Sequence, residues 1–480
     1  MPSFGGLQTN FLTWLILMGM TASWMISMRL VPGLADEGWQ ALLKSLYGFV
    51  WLDFGLDIVL RFLMLSYNAV EWGNGTSRLV ALDTAIVNSS LLYCGLFWIL
   101  LTTAYAFAVR RTGAGPFGLT RVFTLDFGYA VAIPVALLAS AVFYLTEGRH
   151  LPLMLITPLA LLANLYMVPA AIIWWDHFRQ SRAWWRINSI HWIVLLPALV
   201  RGYCSPYREN LAPILLIPFI AAMFAGKRPA LRKIIPVGLV CLLVLSTVVS
   251  SYRRIKWENV RPEEVEREFR QGSFVDWASG TWDEPTHRFH GFDSMLLTVA
   301  LVPALEPHSW RNVLLSPFLR GFVPRFIYSG KSGADAGVNF GTRIWAYDDP
   351  RSREQSGAPI APSMPGDLFD AGGVLYLSLG ALIFGGLLGL VDGWKTHLPA
   401  FCGAAITALV ATQCAMSVER DFDNSLATFI QTLLVFVLSA ALIALVRRRT
   451  PEFGLDCDPD SDRGSGRDHH SSFDPTPEHS

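Results

Sequence analysis

Runs of about 20 apolar residues recur along this chain, and that is the length an α-helix needs to cross the hydrocarbon core of a bilayer. Eleven stretches approach it: residues 11–31, 42–65, 86–109, 126–146, 151–175, 188–201, 209–226, 232–251, 371–391, 398–418 and 424–446. Inside a bilayer the backbone must satisfy its own polar groups, so such runs predict an all-α polytopic membrane protein with about 11 spans, ten to twelve in all. The charge content agrees. Only 16% of the 480 residues are charged, 38 basic against 38 acidic, where a soluble domain carries roughly 25%. That excludes a soluble enzyme, a disordered chain and a nucleic-acid binder with a basic footprint. The first run has no Lys or Arg before Arg29 and no small-residue cleavage site, so it reads as a retained span. Runs 188–201 and 209–226 are short and are separated by Arg201, Pro206 and Arg208, which also fits one broken hairpin.

Basic residues in short loops set the expected orientation. With Arg447, Arg448 and Arg449 in the cytoplasm, counting back puts Arg110, Arg111 and Arg121 inside, then Arg179, Arg182 and Arg186, then Lys227, Arg228, Arg232 and Lys233. Arg29 and Lys395 bring the inner total to 15, against five outside: Arg78, Arg149, Arg201, Arg208 and Arg420. The N-terminus then lies outside.

Residues 252–370 depart from this pattern, holding 30 of the chain's 76 charges in 119 residues. By parity this is a long extracytoplasmic loop, and long loops are exempt from the positive-inside tendency. Pro262 followed by Glu263 and Glu264 reads as a helix start, with Arg267 and Arg270 suiting the dipole further on. Residues 294–305 and 308–323 are apolar but broken by Pro303, Pro307, Pro317 and Pro324, and read as interfacial or re-entrant pieces. The expected organisation is therefore a membrane bundle over 1–251, the loop over 252–370, further spans over 371–446 and a disordered cytoplasmic tail over 447–480. Cys94, Cys204, Cys241, Cys402, Cys414 and Cys457 stand singly, and they imply neither a metal site nor a disulfide. His469 and His470, in the tail, lack the preorganisation of a functional metal site. No cofactor is expected.

Ionisable residues in or beside spans are candidates for function, because burying them costs several kcal/mol unless they are paired or hydrated. Asp53, Asp57 and Arg61 share one helix face, which suits either an internal ion pair or a cavity. Arg201 and Arg208, at an extracytoplasmic surface, suit a phosphate or pyrophosphate, or else snorkel to lipid head groups. The stronger group lies in the long loop, in HRFHGFDSM (287–295), PRFIYSGKSG (324–333) and PSMPGDLFDAGG (362–373). These bring Arg, His, Asp and Lys repeatedly to one membrane face, with glycines and prolines that permit tight turns and exposed amides. Trp277, Trp282, Trp310, Trp345, Phe289, Phe292, Phe322, Phe326 and Tyr347 are interleaved with them, fitting sugar stacking or an interfacial aromatic belt. Glu419, Arg420, Asp421 and Asp423 form a short charged turn facing the same side.

The order of Arg288, Phe289 and Asp293 before an apolar piece, then Pro324-Arg325 with Lys331, then a Pro-Gly-Asp turn entering a Gly-rich span, resembles O-antigen polymerases of the Wzy type. The short acidic turn is Arg420-Asp421, and the motif resemblance covers roughly residues 285–425. The chain departs from that pattern at Asp367-Leu368-Phe369, where an acid followed by Tyr is expected. The resemblance implies a metal-independent glycosyltransferase of the membrane-embedded C superfamily. It would work at the outer face of a bacterial cytoplasmic membrane, moving a growing glycan from undecaprenyl pyrophosphate to the non-reducing end of a lipid-linked repeat unit. It also implies a chain-length regulator as partner. Arg288, Arg325 and Lys331 would stabilise charge developing on the pyrophosphate, with Arg201, Arg208, Arg343 and Arg420 as further cations and Asp421 as a further contact. Asp293, Asp367 or His290 would take the acceptor proton.

Rival readings are an O-antigen ligase-like transferase with much the same chemistry, and a lipid-linked oligosaccharide transporter or flippase. A transporter should show inverted repeats and charges spread through the bundle, and the sequence displays neither. A structural subunit of an export complex is the remaining alternative.

Overall fold

The computed structural model describes residues 10–30, 39–63, 84–112, 125–147, 151, 153–180, 187–204, 208–227, 261, 263, 267, 291–304, 307–322, 362–415 and 421–449. Among the described residues every regular element is a helix. Five helices are long and apolar enough to cross a membrane, over Thr84–Arg111, Gly128–Glu147, Pro158–Arg179, Met364–Lys395 and Phe422–Ala441. Shorter apolar helices cover Phe11–Ile26, Ser189–Cys204, Ala212–Phe224 and Ala400–Gln413. The chain is a helical membrane protein. The run 232–251 lies outside the described residues.

In chain order the helices are α1 (Phe11–Leu30), α2 (Trp39–Lys44), α3 (Leu46–Leu63), α4 (Thr84–Arg111), α5 (Leu125–Glu147), α6 (Leu153–Ala163) and α7 (Met167–Arg179). Then come α8 (Ser189–Ile193), α9 (Leu196–Cys204), α10 (Ala212–Phe224), α11 (Gly291–Leu301) and α12 (Ser316–Phe322). The last are α13 (Met364–Lys395), α14 (Ala400–Val410) and α15 (Phe422–Arg449). The run expected at 188–201 is thus two short helices, with α8 opened by a reciprocal capping box between Asn188 and His191. The run expected at 42–65 is broken at Ser45, whose hydroxyl donates to the Leu42 carbonyl at 2.8 Å and accepts from the Gly48 amide at 2.9 Å.

The core is organised on α13 and α4, the most extensively paired helices. Gly385, Gly389 and Gly393 recur every fourth residue, one per turn, and so form a groove along one face of α13. A Cβ on Gly385 would run into the backbone of Leu101, on Gly389 into the backbone of Tyr105 and the methyl of Ala108, and on Gly393 into Thr112. Small residues at this spacing let two helix backbones approach closely, and in lipid that contact is driven by packing and not by hydrophobic burial. Trp24, Phe54, Phe97, Trp98, Tyr47 and Tyr105 continue the core as a chain of ring contacts between α1, α3 and α4.

Two features of α13 position the candidate site. The segment Pro362–Gly373, expected to be a turn with exposed amides, is instead mostly helix and buried from Met364 onward. The helix is also interrupted by Gly372 (φ −168°, ψ 31°) and Gly373 (φ 64°, ψ −150°). The Gly373 conformation is essentially closed to residues with a Cβ, so the sequence Gly-Gly fixes where the arm 364–371 meets the long shaft 374–395. The expected interfacial pieces are α11, which packs on α13, α4 and α3, and α12, which packs on α15.

Candidate functional site

A helix break leaves carbonyls without partners, because their amide donors four residues on are no longer in register. In α13 this applies to Phe369 and Asp370, and the segment 307–313 fills the vacancy. His308 Nδ1 meets the Phe369 carbonyl at 3.1 Å, and the Ser309 amide donates to the Asp370 carbonyl at 2.9 Å. Gly373 makes room for the strap, since a Cβ there would come within 3.1 Å of the His308 ring.

The strap delivers Arg311 to two buried carboxylates. Its Nη2 donates to Asp367 Oδ1 at 2.5 Å and to Asp370 Oδ2 at 3.3 Å, while Nε donates to Ser309 Oγ at 3.2 Å. Nη1 takes no partner among the described residues, and 38% of the side chain remains exposed. Burial pulls the guanidinium's pKa down, but the charges of Asp367 and Asp370 outweigh it and raise the net value above the ordinary one. A permanent cation is therefore held with one edge clamped and the other directed away from the clamp.

Asp367 does more than hold Arg311. It is fully buried, and its Oδ2 accepts from the backbone amides of Phe422 at 3.0 Å and Asp423 at 3.4 Å. Those are orphan donors of the first turn of α15, where the helix dipole also favours a carboxylate. Asp421 caps the same helix from the position just before its first residue, accepting from the Asn424 amide and from Asn424 Nδ2, both at 2.7 Å. Asp423 Oδ1 accepts from Ser316 Oγ at 2.7 Å, tying α12 to α15. The acids therefore have distinct partners, and among the described residues no three metal-ligating side chains converge.

Of the residues singled out in the sequence, Asp367 and Asp421 meet at this cluster. Arg201 does not. It sits on α9, where Nε donates to Glu147 at 3.2 Å, Nη1 donates to Asn164 at 3.1 Å and the guanidinium lies 5.0 Å over the Phe143 ring. Asp293 lies on α11 and Arg208 opens a short 3-10 turn (Arg208–Leu211), but their side chains lie outside the description, as do those of Asp57 and Arg61. Arg288, His290, Arg325, Lys331, Arg343 and Arg420 are outside the described residues altogether. Sequence reasoning passed over His308 and Arg311, which stood inside a stretch read as apolar. The polar run His308-Ser309-Trp310-Arg311 after Pro307 was the available signal.

A second buried charge cluster lies at the other end of α13. Lys395 Nζ donates to Asp392 Oδ1 at 2.7 Å, to the Lys44 carbonyl at 2.9 Å and to Thr407 Oγ1 at 2.7 Å, using all three of its donors. Asp392 also accepts from the Leu46 and Tyr47 amides at 3.1 and 3.3 Å and from the Tyr105 hydroxyl at 2.9 Å. It thereby caps α3 beyond the Ser45 break. This cluster is closed, and it holds α2, α3, α4, α13 and α14 together.

No protein-family model, curated protein or solved structure matches this chain.

Proposed function

We propose that this protein is a polysaccharide polymerase embedded in the bacterial cytoplasmic membrane. It would transfer a growing glycan from undecaprenyl pyrophosphate to the non-reducing end of a lipid-linked repeat unit at the outer face. The observation that carries this reading is Arg311, a guanidinium clamped on one edge by Asp367 and Asp370 and unpartnered on Nη1 among the described residues. A fixed cation with a spare pair of donors suits a pyrophosphate oxygen, and preorganised donors stabilise charge as it develops on a leaving group. Arg288, Arg325 and Lys331, from the same loop, are the further cations that the sequence resemblance offers.

In this reading the acceptor hydroxyl oxygen attacks the anomeric carbon of the donor glycan. The bond from that carbon to the pyrophosphate oxygen breaks with its electron pair on the pyrophosphate, opposite Arg311. The hydroxyl proton goes to His308. A carbonyl can only accept, so in the neutral ring the contact to Phe369 places the proton on Nδ1 and the lone pair on Nε2, which acts as the base. Asp367 is a positioning residue, since both of its oxygens are occupied.

The test is polysaccharide profiling in the native host, comparing a deletion with Arg311→Gln, Arg288→Ala, Arg325→Ala and Lys331→Ala strains at matched membrane abundance. The expected result is loss of polymer with single repeat units still displayed. Normal polymer in the deletion strain overturns the reading.

A further inference from the structure

Trp310 is the most exposed tryptophan among the described residues, at 65%. It stands between His308 and Arg311, and its backbone is in the left-handed region at φ 50°. Bulky residues rarely adopt that conformation, and it persists only where the surroundings dictate it. Here they do: the Ser309 amide is fixed to Asp370 on one side and the Arg311 side chain to Asp367 and Asp370 on the other. The ring is also oriented. His308 meets it at 72° with centroids 5.8 Å apart, and Tyr376 at 84° and 6.3 Å, so neither neighbour stacks flat on it.

We infer that Trp310 is a saccharide-stacking platform that takes the apolar face of a pyranose ring of the lipid-linked glycan, beside the pyrophosphate held at Arg311. This rests on the transferase reading and adds to it the part of the substrate that the strap grips. A pyranose offers a flat C–H face and a rim of hydroxyls. An open indole face suits the first, and the polar groups flanking it in the strap suit the second, the usual division of labour in a small-molecule site. A tryptophan that only anchored the chain at the membrane interface would use its amphipathic ring at head-group level and would need no backbone conformation imposed on it.

The test is binding of a fluorescently labelled oligosaccharide pool, released by mild acid from the host's lipid-linked saccharides, to the full-length protein in lipid nanodiscs. Trp310→Ala and Trp310→Leu are expected to weaken binding about tenfold, and Trp310→Phe about threefold. Leu375→Ala, which trims another exposed apolar side chain, should bind as the wild type does. Binding by Trp310→Leu within about twofold of wild type overturns the inference, since bulk without an aromatic face would then suffice. So does an equal loss in Leu375→Ala, or a wild-type protein that binds no oligosaccharide. Loss of membrane abundance in Trp310→Leu with normal binding by what remains makes the residue an interfacial anchor and overturns the inference as well. The two readings fail separately. Polymer that depends on Arg311 alongside oligosaccharide binding indifferent to Trp310 removes only the platform, whereas normal polymer in the deletion strain removes the polymerase.

Discussion

The two ends of α13 hold buried charge in opposite ways. At Asp392 and Lys395 every strong donor and acceptor is used inside the protein, and both side chains are almost wholly enclosed. At Asp367 and Asp370 the partner cation is 38% exposed and has no partner on Nη1 among the described residues. A closed ion pair cannot address a ligand without first breaking. A half-open one can, because its carboxylates have already met the cost of orienting the guanidinium. The difference traces to local sequence. Asp392 and Lys395 are three residues apart on the unbroken shaft of α13, so they pair on one face. Asp367 and Asp370 precede the Gly372-Gly373 break, which frees the carbonyls that dock a separate strap carrying Arg311.

The sharpest way to break this contrast is to unbalance the closed end. Asp392→Ala leaves the Lys395 ammonium buried without its charge partner and uncaps α3, a loss expected to cost about 3–5 kcal/mol of stability. Thermal unfolding of purified protein in detergent should show it, and activity per folded molecule should stay close to wild type. The double variant Asp392→Asn/Lys395→Met should recover part of the loss, since it removes the stranded charge. If the single variant were as stable as wild type, the cluster would not be the lock described above.

The half-open end should respond in turnover instead. Arg311→Gln is expected to lower polymer formation per folded molecule by about 10²–10³, the range for removing a donor aimed at developing charge. Arg311→Lys should recover only a fraction, because an ammonium cannot keep both carboxylates and present a planar edge. Radiolabelled repeat-unit turnover at matched protein amount measures this. Equal falls in folded protein and in turnover would make the two clusters alike and remove the contrast. A smaller effect is expected at His308→Asn, whose amide can still donate to the Phe369 carbonyl but offers no base. Turnover should fall about 10²-fold, and exogenous imidazole should restore part of the activity of His308→Ala.

How much of this was legible beforehand depends on which interaction range each residue uses. The helical membrane class followed from apolar run length alone, and runs such as 86–109 and 424–446 coincide with α4 and α15 because a span is a local property. Asp367 and Asp421 stand out through a Pro-Gly-Asp turn ahead of a span and a short charged turn between spans, which are also local signals. That Asp367 caps α15 was not readable, since its acceptor contacts join residues 55 and 56 positions apart. His308 and Arg311 were missed for a related reason. Their polarity was averaged into an apolar window, and their roles appear only once the break in α13 exposes carbonyls for them to meet. Pro362–Gly373 was misread because Gly and Pro signal turns, yet Pro is tolerated in the first turn of a helix and the two glycines act at its interruption.

The smallest effect tests whether the strap is held by its backbone or by its side chains. Ser309 Oγ accepts from Arg311 Nε at 3.2 Å and lies 3.3 Å from the Asp370 carbonyl, whereas the Ser309 amide makes the 2.9 Å bond that any residue but proline could make. Ser309→Ala should therefore cost about 1 kcal/mol or less in stability, with turnover within about threefold of wild type. Ser309→Pro removes the amide donor itself, so it should detach the strap and lower turnover towards the level of Arg311→Gln while the Asp392–Lys395 end keeps its protection from hydrogen exchange. Amide exchange at residues 392–395 and 307–313 in the same sample reads both ends at once. Uniform deprotection would mean that the two clusters unfold as one unit and that the open end has no independent mobility. Deprotection confined to the strap would mean that α13 carries one fixed end and one end free to rearrange around a substrate.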